Sequence, residues 1–113
     1  AVPADGQTFV ANSPNSWAPA AYDAQRDIIY LPMGVTTPDI WGGARNALQE
    51  RYASGLLALH ASTGKLAWFY QTVHHDLWDM DLPSQPTLAD ITDEQGKTVP
   101  VVYVPAKRVI FLF

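Results

Sequence analysis

An all-β fold is predicted for this chain, and three observations predict it. Nine prolines and seven glycines break the 113 residues into pieces too short for long helices. The longest apolar runs, Leu66 to Tyr70 and Val109 to Phe113, are strand-length. Mid-chain, two apolar six-residue segments are joined by Ala61-Ser62-Thr63-Gly64, which reads as a hairpin. Hydrophobic residues at 48% against charged ones at 16% mark the composition as globular, with enough apolar surface to offset the entropy of ordering.

Taken in order, residues 1–16 are small and polar, a loop or the tail of a preceding strand. Asp27-Ile28-Ile29-Tyr30-Leu31 is a short strand entered from the turn-like Asp23-Ala24-Gln25-Arg26. Pro32 to Arg51 is a long irregular connection with one helical turn near Ala47 to Arg51, and connections of that length inside a compact domain are usually functional. Gly55 to His60 and Lys65 to Tyr70 are the two arms of the hairpin, with Gly64 supplying the positive φ its turn demands. Gln71 to Pro86 is a second polar loop carrying Asp and His in close order. Thr98 to Pro105 and Lys107 to Phe113 complete the strands, and the hairpin spacing is that of an all-β repeat architecture.

Composition also limits function. Eleven acids against seven bases give a net charge of -4 with no basic segment, which disfavours a nucleic-acid partner because phosphates need a cationic face. The absence of cysteine excludes a disulfide framework, a thiolate zinc site and a cysteine nucleophile. No apolar run approaches the roughly 20 residues of a membrane span, and no signal peptide is visible. The chain starts without Met and stops inside an apolar run, so the expectation is a piece of a longer polypeptide. All of residues 1–113 read as part of one domain, with no complete domain boundary inside the chain.

The hairpin Ala58-Leu59-His60-Ala61-Ser62-Thr63-Gly64-Lys65-Leu66-Ala67-Trp68 resembles the tryptophan-docking repeat of quinoprotein dehydrogenase propellers, with His60 where Asp or Asn is usual. Three further stretches extend the likeness: Gly34 to Gly43, Glu50-Arg51-Tyr52-Ala53-Ser54, and Gln71 to Pro83. Together they are similar to the membrane-bound quinoprotein glucose dehydrogenases, and the likeness covers nearly all of residues 12–107. The resemblance implies an eight-bladed β-propeller of which this chain supplies about two blades. It implies oxidation of glucose and other aldoses at C1 to the lactone, with pyrroloquinoline quinone and Ca²⁺ or Mg²⁺ as cofactors. Electrons then pass to ubiquinone on the periplasmic side of the bacterial inner membrane, reached through segments outside this chain.

The same resemblance assigns roles to particular residues. Asp79, the Asp after Trp in His75-Asp76-Leu77-Trp78-Asp79, is the expected base for the C1 hydroxyl proton while hydride leaves the carbon for the quinone. Asp76 and Asp81, which flank it, are read as turn-capping or solvated acids. Lys107, in Val104-Pro105-Ala106-Lys107, is expected at the quinone oxygens, where a fixed cation stabilises developing charge. Trp17 is the expected floor beneath the quinone ring, and Trp68 the blade-docking residue. Thr37 falls beside the metal, a hard cation suited to oxygen donors, with the remaining ligands outside this chain. His74 and His75 are expected to orient the loop, since neighbours on a strand point to opposite faces and no third His or Cys is near. After Lys107 the family pattern of Thr-Gly-Asn is replaced by Arg108-Val109-Ile110-Phe111.

Three other readings fit parts of this pattern. A quinoprotein alcohol dehydrogenase would share the blades and the base, and Thr37 in place of Asn leans toward sugars. A non-catalytic propeller scaffold explains the hairpin but not Asp79 and Lys107 together. A glycoside hydrolase would need two carboxyls about 5–10 Å apart across a sugar site.

Overall fold

The computed structural model describes residues 14–43 and 45–113, so the first thirteen positions of the predicted opening loop lie outside the described residues. Seven strands and one short helix follow one another: β1 (Ala21–Asp23), β2 (Ile28–Met33), α1 (Ala47–Arg51), β3 (Gly55–His60), β4 (Leu66–Gln71), β5 (Thr87–Thr92), β6 (Thr98–Pro105) and β7 (Ile110–Leu112). They form two antiparallel meanders, β1-β2-β3-β4 and β5-β6-β7. The helical turn, the β3 arm of the hairpin and β6 stand where the sequence put them. The fourth arm is shifted by one residue, to Leu66–Gln71, and the last strand is shorter than expected.

Two strands were not read from the sequence. β1 alternates in burial but is only three residues long, and β5 is exposed at every position, so neither carries an apolar alternation long enough to read. Both exist because a neighbour supplies a ladder: Ala21 to Asp23 pair with Tyr30 to Ile28, and Thr87 to Thr92 pair with Tyr103 to Thr98. β2 also runs two residues past its predicted end, through Pro32 to Met33. β1 covers β2 only as far as Tyr30, so the missing N–H of Pro32 falls on an uncovered edge where the ladder needs no donor.

Register decides which side chains meet. Tyr30 lies opposite Ala58, and Ala58 opposite Trp68, while Pro32, Leu56 and Tyr70 form the next row. A bulge beside Ala58 and Leu59 absorbs one residue of β4 and keeps Trp68 on this face. Ile28, Tyr30, Leu56 and Ala58 of the first sheet pack with Val102 and Val104 of the second and with Leu82 from the connection between them. Trp68 sits at this seam, its ring 5.9 Å from Tyr30 and 5.6 Å from Phe113, and Tyr70 meets Phe113 at 4.9 Å. Tilted and edge-on aromatic pairs of this kind add to the area they bury. The core is therefore shared between two stacked sheets, and Trp68 has the inter-sheet position expected of a docking residue. Among the described residues no helix is long and apolar enough to cross a membrane.

The antiparallel meanders give the first sheet two ends. One carries the tight turns β1–β2 and β3–β4; the other carries the connections 34–54 and 72–86 and the segment before β1. The turn β6–β7 lies at this second end as well, because β6 runs back toward the residues that enter β5.

Candidate active site

At the connection end, each predicted residue is held by a different element. Trp17 stands on the irregular segment before β1, its indole 59% exposed. That segment is laced to the end of β2: Ser16 Oγ donates to the Pro32 carbonyl at 2.9 Å, Asn15 Nδ2 to the Val35 carbonyl at 2.9 Å, and the Gly34 amide to the Asn15 carbonyl at 2.7 Å. Gly34 is required here, since a Cβ would lie 2.5 Å from Asn15 Oδ1 and 3.0 Å from both Asp81 oxygens.

Asp79 lies in the 72–86 connection in the left-handed region, φ 55. Asp tolerates that conformation better than most residues, but the surroundings must still hold it there. Its neighbour Asp76 does the holding. The Asp76 carboxylate, 1% exposed, accepts the Trp78 amide at 2.9 Å, the Met80 amide at 2.7 Å and the Ser54 hydroxyl at 2.7 Å. Two of those donors bracket Asp79 along the chain. The Asp76 carbonyl in turn accepts Arg45 Nη1 at 2.6 Å, and Arg45 Nη2 also reaches the carbonyls of Pro38 (2.7 Å) and Asp39 (3.2 Å). One arginine thus pins both long connections to each other.

Lys107 occupies the β6–β7 turn and donates to the Asp79 backbone carbonyl, with its ammonium also 3.2 Å from Asp79 Oδ2. Both side chains stay open to solvent, 40% and 47% exposed. The predicted base and the predicted cation are therefore adjacent, and both face outward. Trp17 joins the same loop two residues on, through Nε1 to Asp81 Oδ2 at 2.6 Å. Thr37 shares this end of the sheet, exposed, with its hydroxyl 3.4 Å from Asp39 Oδ1. Its neighbour Thr36 is buried and donates to the Gln49 carbonyl at 2.9 Å.

Among the described residues, no three His, Cys, Asp or Glu side chains converge as a metal site would need. His74 Nδ1 meets Gln71 Oε1 at 2.8 Å and His75 Nδ1 meets Glu50 Oε1 at 3.1 Å, contacts that fix the loop onto α1 and β4. Asn46 caps that helix, accepting the Leu48 and Gln49 amides at 3.0 and 3.1 Å. Sequence reasoning assigned no role to Ser54 or Arg45 and read Asp76 and Asp81 only as turn-capping or solvated acids. Asp76 does cap a turn, but it is buried, and among the described residues Asp81 bonds to partners 46 and 64 residues away. A carboxylate with amides two and four positions ahead is a local pattern that could have flagged Asp76; nothing local marks Arg45 or Asp81.

A flat redox cofactor fits what this chain offers. The indole of Trp17 presents a solvent-facing plane with its nitrogen anchored, and an ammonium stands beside a carboxylate within the connected loop. Thr37 presents an exposed neutral hydroxyl, a donor type that a hard divalent cation accepts as one oxygen of a larger set.

Two stacked antiparallel sheets, consecutive in sequence and with their functional groups gathered on one rim, define a segment of a β-propeller. The sequence profile of the family described as PQQ: Glucose/ethanol/alcohol dehydrogenase, beta-propeller domain matches residues 1–113, and the chain belongs to that family. It is 75% identical over 107 residues to the quinoprotein glucose dehydrogenase of Escherichia coli (strain K12), covering 95% of this chain and 13% of that protein. It is 65% identical over 107 residues to quinoprotein glucose dehydrogenase A of Acinetobacter calcoaceticus, with the same coverage. In structure it is similar to the quinohemoprotein alcohol dehydrogenase of Comamonas testosteroni, with a TM-score of 0.77 and 26% identity over 90% of this chain and 15% of that one. The chain thus spans about an eighth of the length of the curated relatives it matches.

Proposed function

We propose that the protein to which this chain belongs is a quinoprotein glucose dehydrogenase, oxidising D-glucose and other aldoses at C1 to the lactone. Its cofactors are pyrroloquinoline quinone and Ca²⁺ or Mg²⁺, its electron acceptor is ubiquinone, and it works at the periplasmic face of the bacterial inner membrane. The chain is part of one eight-bladed propeller domain. The identities to two quinoprotein glucose dehydrogenases support the substrate. The observation that carries the reading is the joining of Trp17, Asp79 and Lys107 through one loop, residues 76–81.

When bound, the quinone supplies a two-electron acceptor for the hydride of the sugar's C1–H bond. This chain's residues do the rest. Asp79 takes the hydroxyl proton at its carboxylate, a contribution worth about 10²–10⁴ in rate for a positioned general base. Its left-handed backbone, held by Asp76, turns the carboxylate out of the loop toward solvent. Lys107, paired with Asp79, would hold the quinone through its ammonium and supply the positive charge that favours electron density developing on the acceptor. Trp17 would offer its exposed indole as the plane that holds the acceptor's flat ring. Thr37 would offer its exposed hydroxyl oxygen as one donor to the metal.

The test is Asp79→Asn in the full-length protein reconstituted with quinone and Ca²⁺. Glucose-dependent dye reduction should fall by about 10²–10⁴, while quinone binding, followed by absorbance, stays near wild type. Normal turnover in this variant removes Asp79 from the role, and turnover on ethanol in preference to glucose would move the protein to the alcohol-oxidising branch of the family.

A further inference from the structure

We propose that Asp81 is a positioning residue for the cofactor platform: one buried carboxylate fixes the indole of Trp17 and ties it to the backbone that carries Thr37. This rests on the reading of Trp17 as the platform.

An indole exposed on an irregular segment is free to change rotamer unless something holds its far end. Here the far end is held. Asp81 Oδ2 accepts Trp17 Nε1 at 2.6 Å, and Asp81 Oδ1 accepts the Val35 amide at 2.6 Å. Both are short charge-assisted bonds, and each oxygen serves a different element. Asp81 is 9% exposed and has no cation within ion-pair distance among the described residues. A carboxylate buried without a cation is costly, and it is retained where its hydrogen bonds are needed.

The packing around it is equally specific. Gly34 leaves room for the two oxygens, since a Cβ there would press on both. Val35 lies two residues before Thr37, and Asp81 two residues after Asp79. One side chain therefore sets the relation between the platform, the oxygen donor and the base-bearing loop. Uniform amide chemistry cannot replace it, because an amide has one acceptor oxygen and would turn an NH₂ group toward one of the two donors.

Quinone affinity of the full-length apoprotein, titrated by absorbance and by quenching of tryptophan fluorescence, tests this. Asp81→Asn should weaken quinone binding about tenfold or more, and Trp17→Phe, which keeps a flat ring but removes the donor, should weaken it comparably. The double variant should bind within about twofold of Trp17→Phe alone, because the two changes break one link. Wild-type affinity in Asp81→Asn, or two losses that multiply, overturns the proposal. Should Asp81→Asn fail to fold, Asp81→Glu replaces it. The extra methylene moves the carboxylate off the positions that serve its two donors, so lost affinity in a protein that still folds supports the role and unchanged affinity refutes it. Trp17→Ala separates the two levels. If it binds quinone normally, the platform assignment fails and this inference with it; if it loses quinone while Asp81→Asn keeps it, only the inference fails.

Discussion

The first sheet has two ends built on opposite plans. At the turn end the polar contacts are mostly local. Asp23 accepts the amides of Gln25 and Arg26 at 2.9 and 3.1 Å, and Gly64 and Thr63 donate to the His60 carbonyl at 2.7 and 3.2 Å. The exception is Asp27, whose carboxylate accepts the Ser62 amide at 3.2 Å and so brings one turn to the other. It supplies an acidic acceptor to the β3–β4 turn from another strand, although His60 stands where the repeat usually has Asp or Asn. At the connection end the decisive bonds join residues 22, 31, 46 and 64 positions apart. Three of the four non-glycine residues with positive φ among those described, Ser54, His75 and Asp79, lie at that end. Local chemistry builds a scaffold at one rim; distant chemistry, with strain held in place, gathers reactive groups at the other.

Variants at the two ends should therefore fail differently. The largest effect is expected from Asp76→Ala, which strands two amides and a hydroxyl in a buried site. It should cost on the order of 3 kcal/mol and remove turnover, read as a lower melting temperature together with lost glucose oxidation. A stable, active Asp76→Ala protein would break the contrast between the rims. Trp68→Ala, at the seam between the sheets, should cost about 2–3 kcal/mol, less than a fully buried tryptophan because the residue is only partly buried. Its quinone affinity should stay at wild type, and a selective loss of affinity would show that the seam and the site are not separable. Gly64→Ala places a Cβ in open space at φ 68, so only the left-handed strain remains, about 1 kcal/mol, with kcat unchanged.

The smallest effect concerns acid. The hydrogen bond from the Arg26 guanidinium holds the Asp23 carboxyl below its ordinary range, against the opposing pull of desolvation. A carboxyl whose pKa is lowered by folding stabilises the native state above its unfolded pKa and loses that contribution as pH falls through the native value. Asp23→Asn should therefore be slightly less stable than wild type at neutral pH, with the difference in melting temperature fading below about pH 4. A difference that grows on acidification would contradict the assignment.

Much of the fold was legible because its determinants are short-range. The apolar run Gly55 to His60, the glycine at the turn, and the Asn46 cap before Ala47 each act within a few residues. The letters of the site were legible too, as a resemblance: Asp79, Lys107 and Trp17 could be named without coordinates. β1 and β5 could not, because a three-residue strand and a strand exposed at every position carry no pattern of their own and form on a partner's ladder.

By itself, then, the sequence determined the strand-rich class, the hairpin and the family, and it put forward Asp79, Lys107 and Trp17 as the candidate acid, cation and indole. Only the tertiary structure decided how those groups are held: Asp76 over the backbone of Asp79, Arg45 across two connections, and Asp81 between Trp17 and Val35. The reason is physical. Propensity and turn chemistry are properties of neighbours along the chain, whereas a buried carboxylate finds donors from distant segments only after the sheets have stacked and excluded water around it.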